Sequence, residues 1–72
     1  MKKTFALEDL DCANCAQKME DAIRKLDGVE DVQVNFLRQT MTLTAADDQF
    51  DSVVKAAVKT IRKVEPDCRV KL

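Results

Sequence analysis

The chain has 72 residues, 46% of them hydrophobic and 35% charged, which is the composition of one small folded domain and not of a disordered segment. Its net charge of −1 and its aromatic content of 4% exclude a basic or base-stacking surface for nucleic acid. No stretch approaches the roughly 20 apolar residues of a membrane-spanning helix, so a single domain, 1–72, is expected in the cytosol without membrane contact of its own.

The first part of the chain predicts a strand followed by a helix. Phe5 and Leu7 alternate with polar residues, which is typical of a strand with one buried face. From Cys15 to Leu26 the apolar residues recur at helical spacing. Asp27-Gly28 is expected to end this helix, because glycine readily adopts the left-handed conformation of a helix C-terminus.

Two further strands are predicted next. The segment from Val29 to Phe36 alternates again, and Leu37-Arg38-Gln39 is the expected hairpin connection. Met41 and Leu43 then mark a third strand.

A second helix and a last strand complete the pattern. Asp47-Asp48 is the expected helix cap, with Asp51 in the spacing of a capping box. Glu65-Pro66-Asp67 is expected to end the helix. The helical stripe comprises Phe50, Val53, Val54, Ala57, Val58, Ile61 and Val64, and the last strand Cys68, Val70 and Leu72. The order βαββαβ predicts an α+β fold, a ferredoxin-like sandwich with a four-stranded antiparallel sheet and two helices on one face.

The candidate site lies where the first strand gives way to the first helix. Backbone N–H groups and the positive end of the helix dipole favour thiolates there, and the spacing of Cys12 and Cys15 lets both sulfurs converge on one ion. Asp11 adds a carboxylate directly before them. Two thiolates alone suit Cu(I), whereas an added carboxylate favours Zn(II), Cd(II) or Pb(II). The chain has 0 histidines, so a fourth ligand position stays open.

Other interpretations of these residues remain open. Thioredoxin-like redox sites also place a cysteine pair at a helix N-terminus. Asp11 is alternatively a helix cap or a solvated loop acid. Cys68 is expected in the core more than as a third sulfur ligand, because its alternation with Val70 points it to the buried face. Met19 and Met41 lie on apolar stripes and are likewise expected in the core.

The segment Leu10-Asp11-Cys12-Ala13-Asn14-Cys15-Ala16, with Leu26-Asp27-Gly28-Val29 and Val32-Gln33-Val34-Asn35-Phe36, resembles the heavy-metal-associated domain family over essentially the whole chain. Copper-type members usually carry Gly-Met before Thr-Cys-x-x-Cys. Here Leu10-Asp11 stands in that place, as in the soluble domains of P-type ATPases that export zinc, cadmium or lead. The resemblance therefore implies Asp11, Cys12 and Cys15 as the metal ligands.

The same resemblance implies a non-enzymatic domain, either a regulatory or delivery domain of a metal-exporting P-type ATPase or a free-standing metallochaperone. Its partners would be the metal ion and the transporter's core domains or a metal-donating or metal-accepting protein, on the cytosolic face of the membrane if it is part of a transporter. A monomer is expected, with a metal-bridged dimer as the alternative. A copper(I) metallochaperone is the alternative function, and a dithiol redox module the weaker one. The loop after the second helix, Val64-Glu65-Pro66-Asp67, lacks the aromatic residue or glycine of the copper type.

Overall fold

The structure, a computed structural model, describes residues 1–71 and has the predicted element order βαββαβ. The strands form one antiparallel sheet in the order β2-β3-β1-β4, and both helices pack against it and each other, which confirms the ferredoxin-like prediction. No helix within residues 1–71 is long and apolar enough to cross a membrane. Leu72, predicted in the last strand, lies outside the described residues. The elements are β1 Lys2–Glu8, α1 Ala13–Arg24, β2 Val29–Asn35, β3 Thr40–Ala45, α2 Phe50–Val64 and β4 Arg69–Lys71.

The core lies between the helices and one face of the sheet, where the alternating strand residues meet the helical stripes. Met19 and Met41 are fully buried in it, as the apolar stripes predict. Cys68, just before β4, is 1% exposed, which confirms its predicted place in the core. The other fully buried large side chains are Ile23, Val32, Leu43 and Ile61.

Three connections lie at the same end of the sheet. Glu8, the last residue of β1, pairs with Arg69 at the start of β4. Ala6 pairs with Thr40 at the start of β3. The loop from β1 to α1, the hairpin connection 36–39 and the loop from α2 to β4 therefore meet above the end of β1.

The first helix is under way at Cys15, as predicted, but it ends earlier than its apolar pattern predicts. It begins at Ala13, before Cys15, and ends at Arg24 instead of Leu26. The Lys25 N–H donates to the carbonyl of Ala22, and the Leu26 N–H to that of Ile23, so the chain leaves the helix through tighter turns. Gly28 has the expected left-handed backbone, with φ at 90°, but it lies in the following turn and not at the helix cap.

The predicted cap of the second helix is wrong. Gln49, and not Asp47 or Asp48, is the N-cap residue of α2, and its side chain makes no capping hydrogen bond. The Gln49 N–H donates to the carbonyl of Ala46 at 3.1 Å, so a turn carries the chain past both aspartates before the helix starts. Asp47 pairs instead with the amino terminus, at 2.9 Å. The predicted end of the helix is confirmed, with Glu65 as its C-cap.

Candidate metal centre

Cys12 is the N-cap residue of α1. Its backbone is extended, with φ −134° and ψ 122°, and its Sγ accepts the N–H of Cys15 at 3.3 Å. Serine, threonine or aspartate oxygens usually fill this role, and the residue three positions later is the usual donor. The spacing that brings two sulfurs toward one ion is thus also the spacing of a helix cap. Helix formation itself places Cys12 beside Cys15.

The two thiols differ in acidity. The pKa of Cys12 is lowered, chiefly because the Cys15 side chain and then the Cys15 backbone N–H donate hydrogen bonds to its sulfur. The pKa of Cys15 is raised from 9.0 to about 12, first because the neutral thiol can donate its one proton to the Cys12 sulfur and second because it can donate that proton instead to the carboxylate of Glu65. The expected low pKa of a thiol at a helix N-terminus therefore holds for Cys12 and is wrong for Cys15. The pair shares a proton that an incoming cation can replace.

Glu65 lies near Cys15, and the sequence pattern did not predict this proximity. Its N–H donates to the carbonyl of Ile61 at 2.8 Å, and its own carbonyl accepts the N–H of Cys68 at 3.1 Å. These bonds hold the half-buried side chain next to Cys15, where it raises the pKa of that thiol. The predicted fold topology could have indicated that Glu65 lies near Cys15. In a βαββαβ fold the two helices run antiparallel, so the end of α2 meets the start of α1.

Asp11 lies on the rim of the site. Its side chain is exposed, and since Cys12 caps α1, the cap interpretation of Asp11 does not hold. Within residues 1–71, no three histidine, cysteine, aspartate or glutamate side chains are gathered so as to hold one ion. The structure thus brings Cys12 and Cys15 together, while the ligand role of Asp11 stays a prediction. A cleft of about 380 Å³ is lined by Asp11 with Glu8, Asp9, Pro66, Asp67 and Arg69.

Cys68 is buried near three acidic residues of these loops. Burial is the main reason that its pKa is raised, and the charges of Glu65, Asp9 and Asp11 add to the effect. A buried thiol with a raised pKa stays protonated and behaves as a small apolar side chain.

The family model of the heavy-metal-associated domain matches residues 4–67. The cadmium, zinc and cobalt-transporting ATPase of Bacillus subtilis is 30% identical over 71 residues, which are 99% of this chain and 10% of that protein. The zinc/cadmium/lead-transporting P-type ATPase of Escherichia coli is 36% identical over 62 residues, 82% of this chain and 8% of that protein. The chain thus spans at most a tenth of the length of these relatives.

A solved structure is similar over almost the whole chain. It is the N-terminal domain of a potential copper-translocating P-type ATPase from Bacillus subtilis in the Cu(I)-loaded state. The TM-score is 0.79 at 28% identity, covering 99% of this chain and 84% of the other. This chain therefore belongs to the heavy-metal-associated domain family and is a metal-binding domain related to the heavy-metal P-type ATPases.

Proposed function

We propose that this domain captures Zn(II), Cd(II) or Pb(II), with Cys12 and Cys15 as thiolate ligands and Asp11 as a carboxylate ligand. The observation that carries the proposal is the pair of half-buried cysteines at the N-terminus of α1, where the Cys12 sulfur accepts the backbone N–H of Cys15. A cation that displaces the Cys15 proton gains two thiolates already held close together. The backbone N–H groups of the first helical turn stabilise the negative charge of those thiolates.

The carboxylates around the sulfurs favour a divalent ion. Thiolates combined with carboxylate oxygens suit borderline divalent cations, whereas Cu(I) is satisfied by two thiolates. Asp11 is exposed and directly precedes Cys12, so its side chain is free to turn toward an ion held by the sulfurs. The names of the two ATPase relatives support the same class of ion.

Glu65 is a second carboxylate near the two sulfurs, on the side of Cys15. It raises the pKa of Cys15, and Asp11 directly precedes Cys12, so each thiol has one acid near it. The three proposed ligands, Asp11, Cys12 and Cys15, leave one of the four positions of a tetrahedral ion open. In transfer, a partner's thiolate or carboxylate enters that position, and the ion passes through a shared-ligand intermediate. The partner would be the core of a metal-exporting transporter or a metal-donating protein.

Competitive titration of the reduced protein tests the proposal. Cys12→Ser should abolish tight binding of every soft ion. Asp11→Asn should weaken Zn(II) and Cd(II) by at least about tenfold, the loss typical even of an outer-shell partner, and leave Cu(I) nearly unchanged. Equal losses for Zn(II), Cd(II) and Cu(I) would contradict a ligand role for Asp11. Glu65→Gln, measured in parallel, reports whether the second carboxylate is a ligand, since only then does Cd(II) affinity fall.

A copper(I) chaperone is the second candidate function. The likeness to the domain of a potential copper-translocating ATPase favours it. Because Cu(I) binds dithiols tightly in any protein, affinity alone does not separate the two functions. The rate of metal transfer does separate them. A copper chaperone should deliver Cu(I) to an acceptor domain equally fast as the wild-type protein and as the Asp11→Asn variant. A redox module would instead cycle a Cys12–Cys15 disulfide with dithiol substrates in the absence of metal.

A further inference from the structure

The side-chain amide of Gln39 bridges the hairpin connection and the loop that leads to Cys12. Its Oε1 accepts the N–H of Leu10 at 3.0 Å. Its Nε2 donates to the carbonyl of Leu10 at 2.6 Å and to the carbonyl of Phe36 at 2.9 Å. A primary amide has one oxygen acceptor and two N–H donors, so every donor and the acceptor are engaged.

These bonds extend the sheet beyond its last backbone pair. The main-chain carbonyl of Gln39 accepts the N–H of Leu7 at 2.7 Å, next to the pair formed by Ala6 and Thr40. Past that point β1 ends, and the amide of Gln39 bonds to both the N–H and the carbonyl of Leu10, as a neighbouring strand would. The loop residue Leu10 is therefore held although no strand lies beside it.

Leu10 is fixed from two sides. Its side chain is 2% exposed and belongs to the core, while its backbone is bound by Gln39. Asp9 precedes it with a left-handed backbone, φ 60°, so the chain turns sharply between β1 and this anchor. The next two residues are Asp11 and Cys12, whose directions are set by the Leu10 peptide group.

The backbone of Gln39 indicates that this side chain is needed. Its φ of 55° lies in the left-handed region, where glycine and asparagine are favoured over glutamine. Asparagine would suit the backbone better but is one methylene shorter and would not span the same gap. Glutamine is long enough to reach Leu10, but its backbone adopts a less favourable conformation.

We propose that Gln39 is a positioning residue for the metal site. By fixing Leu10, it holds the loop so that Cys12 and Cys15 can take the same ion with little further ordering, and a preordered site binds more tightly. The inference rests on the proposed metal binding by Cys12 and Cys15. Gln39 itself does not touch the ion.

Two variants remove the bridge in different ways. Gln39→Asn keeps a residue that tolerates the left-handed backbone but is too short, whereas Gln39→Met keeps the length and cannot hydrogen-bond to Leu10. Gln33→Asn, at an exposed position on β2, is the control for replacing a glutamine by an asparagine elsewhere in the protein. Val53→Ala controls for lost stability, because Val53 is buried beside Gly28 at the opposite end of the sheet.

The measurements are Cd(II) affinity, by chelator competition followed through the thiolate charge-transfer absorption, and hydrogen exchange of the Leu10 amide by NMR. Gln39→Asn and Gln39→Met should each lower Cd(II) affinity about tenfold and speed exchange at Leu10. Gln33→Asn and Val53→Ala should leave the affinity unchanged.

Wild-type Cd(II) affinity in a folded Gln39 variant would overturn the inference, as would an equal loss in Val53→Ala, which would assign the effect to stability. If one Gln39 variant does not fold, the other decides. Failure of the wild-type protein to bind Cd(II) would overturn the proposed function and this inference together. A Gln39 variant that binds normally overturns only the inference.

Discussion

Replacing Glu65 with glutamine should make Cys15 a stronger acid. In the wild-type protein the pKa of Cys15 is raised from 9.0 to about 12, and the carboxylate of Glu65 is the second cause after the hydrogen bond to Cys12. Glutamine preserves the size of the side chain and removes its charge. Since the bond to Cys12 remains, the pKa should fall by about one pH unit and stay above 9.0. At a fixed pH below the pKa of Cys15 in both proteins, the thiolate fraction of Cys15 then rises about tenfold.

Alkylation with iodoacetamide measures this change, because only the thiolate reacts. The rate at each cysteine is followed against pH in the metal-free protein, with tandem mass spectrometry to locate the label. Asp67→Asn is the matched control, since Asp67 lies in the same loop and is not among the groups that raise the pKa of Cys15. An unchanged profile at Cys15 in Glu65→Gln, or an equal change in Asp67→Asn, would refute the contact between Glu65 and Cys15.

Two further predictions concern the cysteines. Between the lowered pKa of Cys12 and the raised pKa of Cys15, each bound ion replaces one proton. The apparent Cd(II) affinity should therefore increase about tenfold per pH unit in chelator-competition titrations. A Cd(II) affinity that does not depend on pH in that range would contradict the shared proton. Cys68→Ser should lower the free energy of unfolding by about 1–3 kcal/mol in urea titrations, because a hydroxyl replaces a thiol that is 1% exposed. Cd(II) affinity should not change, and a loss of affinity in folded Cys68→Ser would return Cys68 to the set of candidate ligands.

The elements could be predicted because their signals are local. Alternation at Phe5 and Leu7, and helical spacing across α2, reflect which face each element buries. The ends of the elements depended on turns that periodicity does not encode. Asp48 had the residue type of a helix cap, yet the turn before α2 gave that position to Gln49.

The cysteine pair could be located from the sequence, but its acidity could not. The spacing of Cys12 and Cys15 indicated a shared ion, and the same spacing makes Cys12 the helix cap. The raised pKa of Cys15 depends on which thiol donates the shared proton and on Glu65, which is 50 residues away in sequence. Gln39 and Leu10 are 29 residues apart, and the sequence pattern carries no sign of their pairing. Such contacts arise from tertiary structure, where the three connections meet.

X-ray absorption spectroscopy on the protein loaded with one equivalent of Zn(II) tests the central claim most directly. Two thiolates and a carboxylate predict two sulfur neighbours at about 2.3 Å together with oxygen neighbours at about 2.0–2.2 Å. Asp11→Asn should reduce the oxygen contribution from carboxylate and leave both sulfurs in place. A first shell of four sulfurs, or one without sulfur, would contradict a site built from Cys12, Cys15 and a carboxylate.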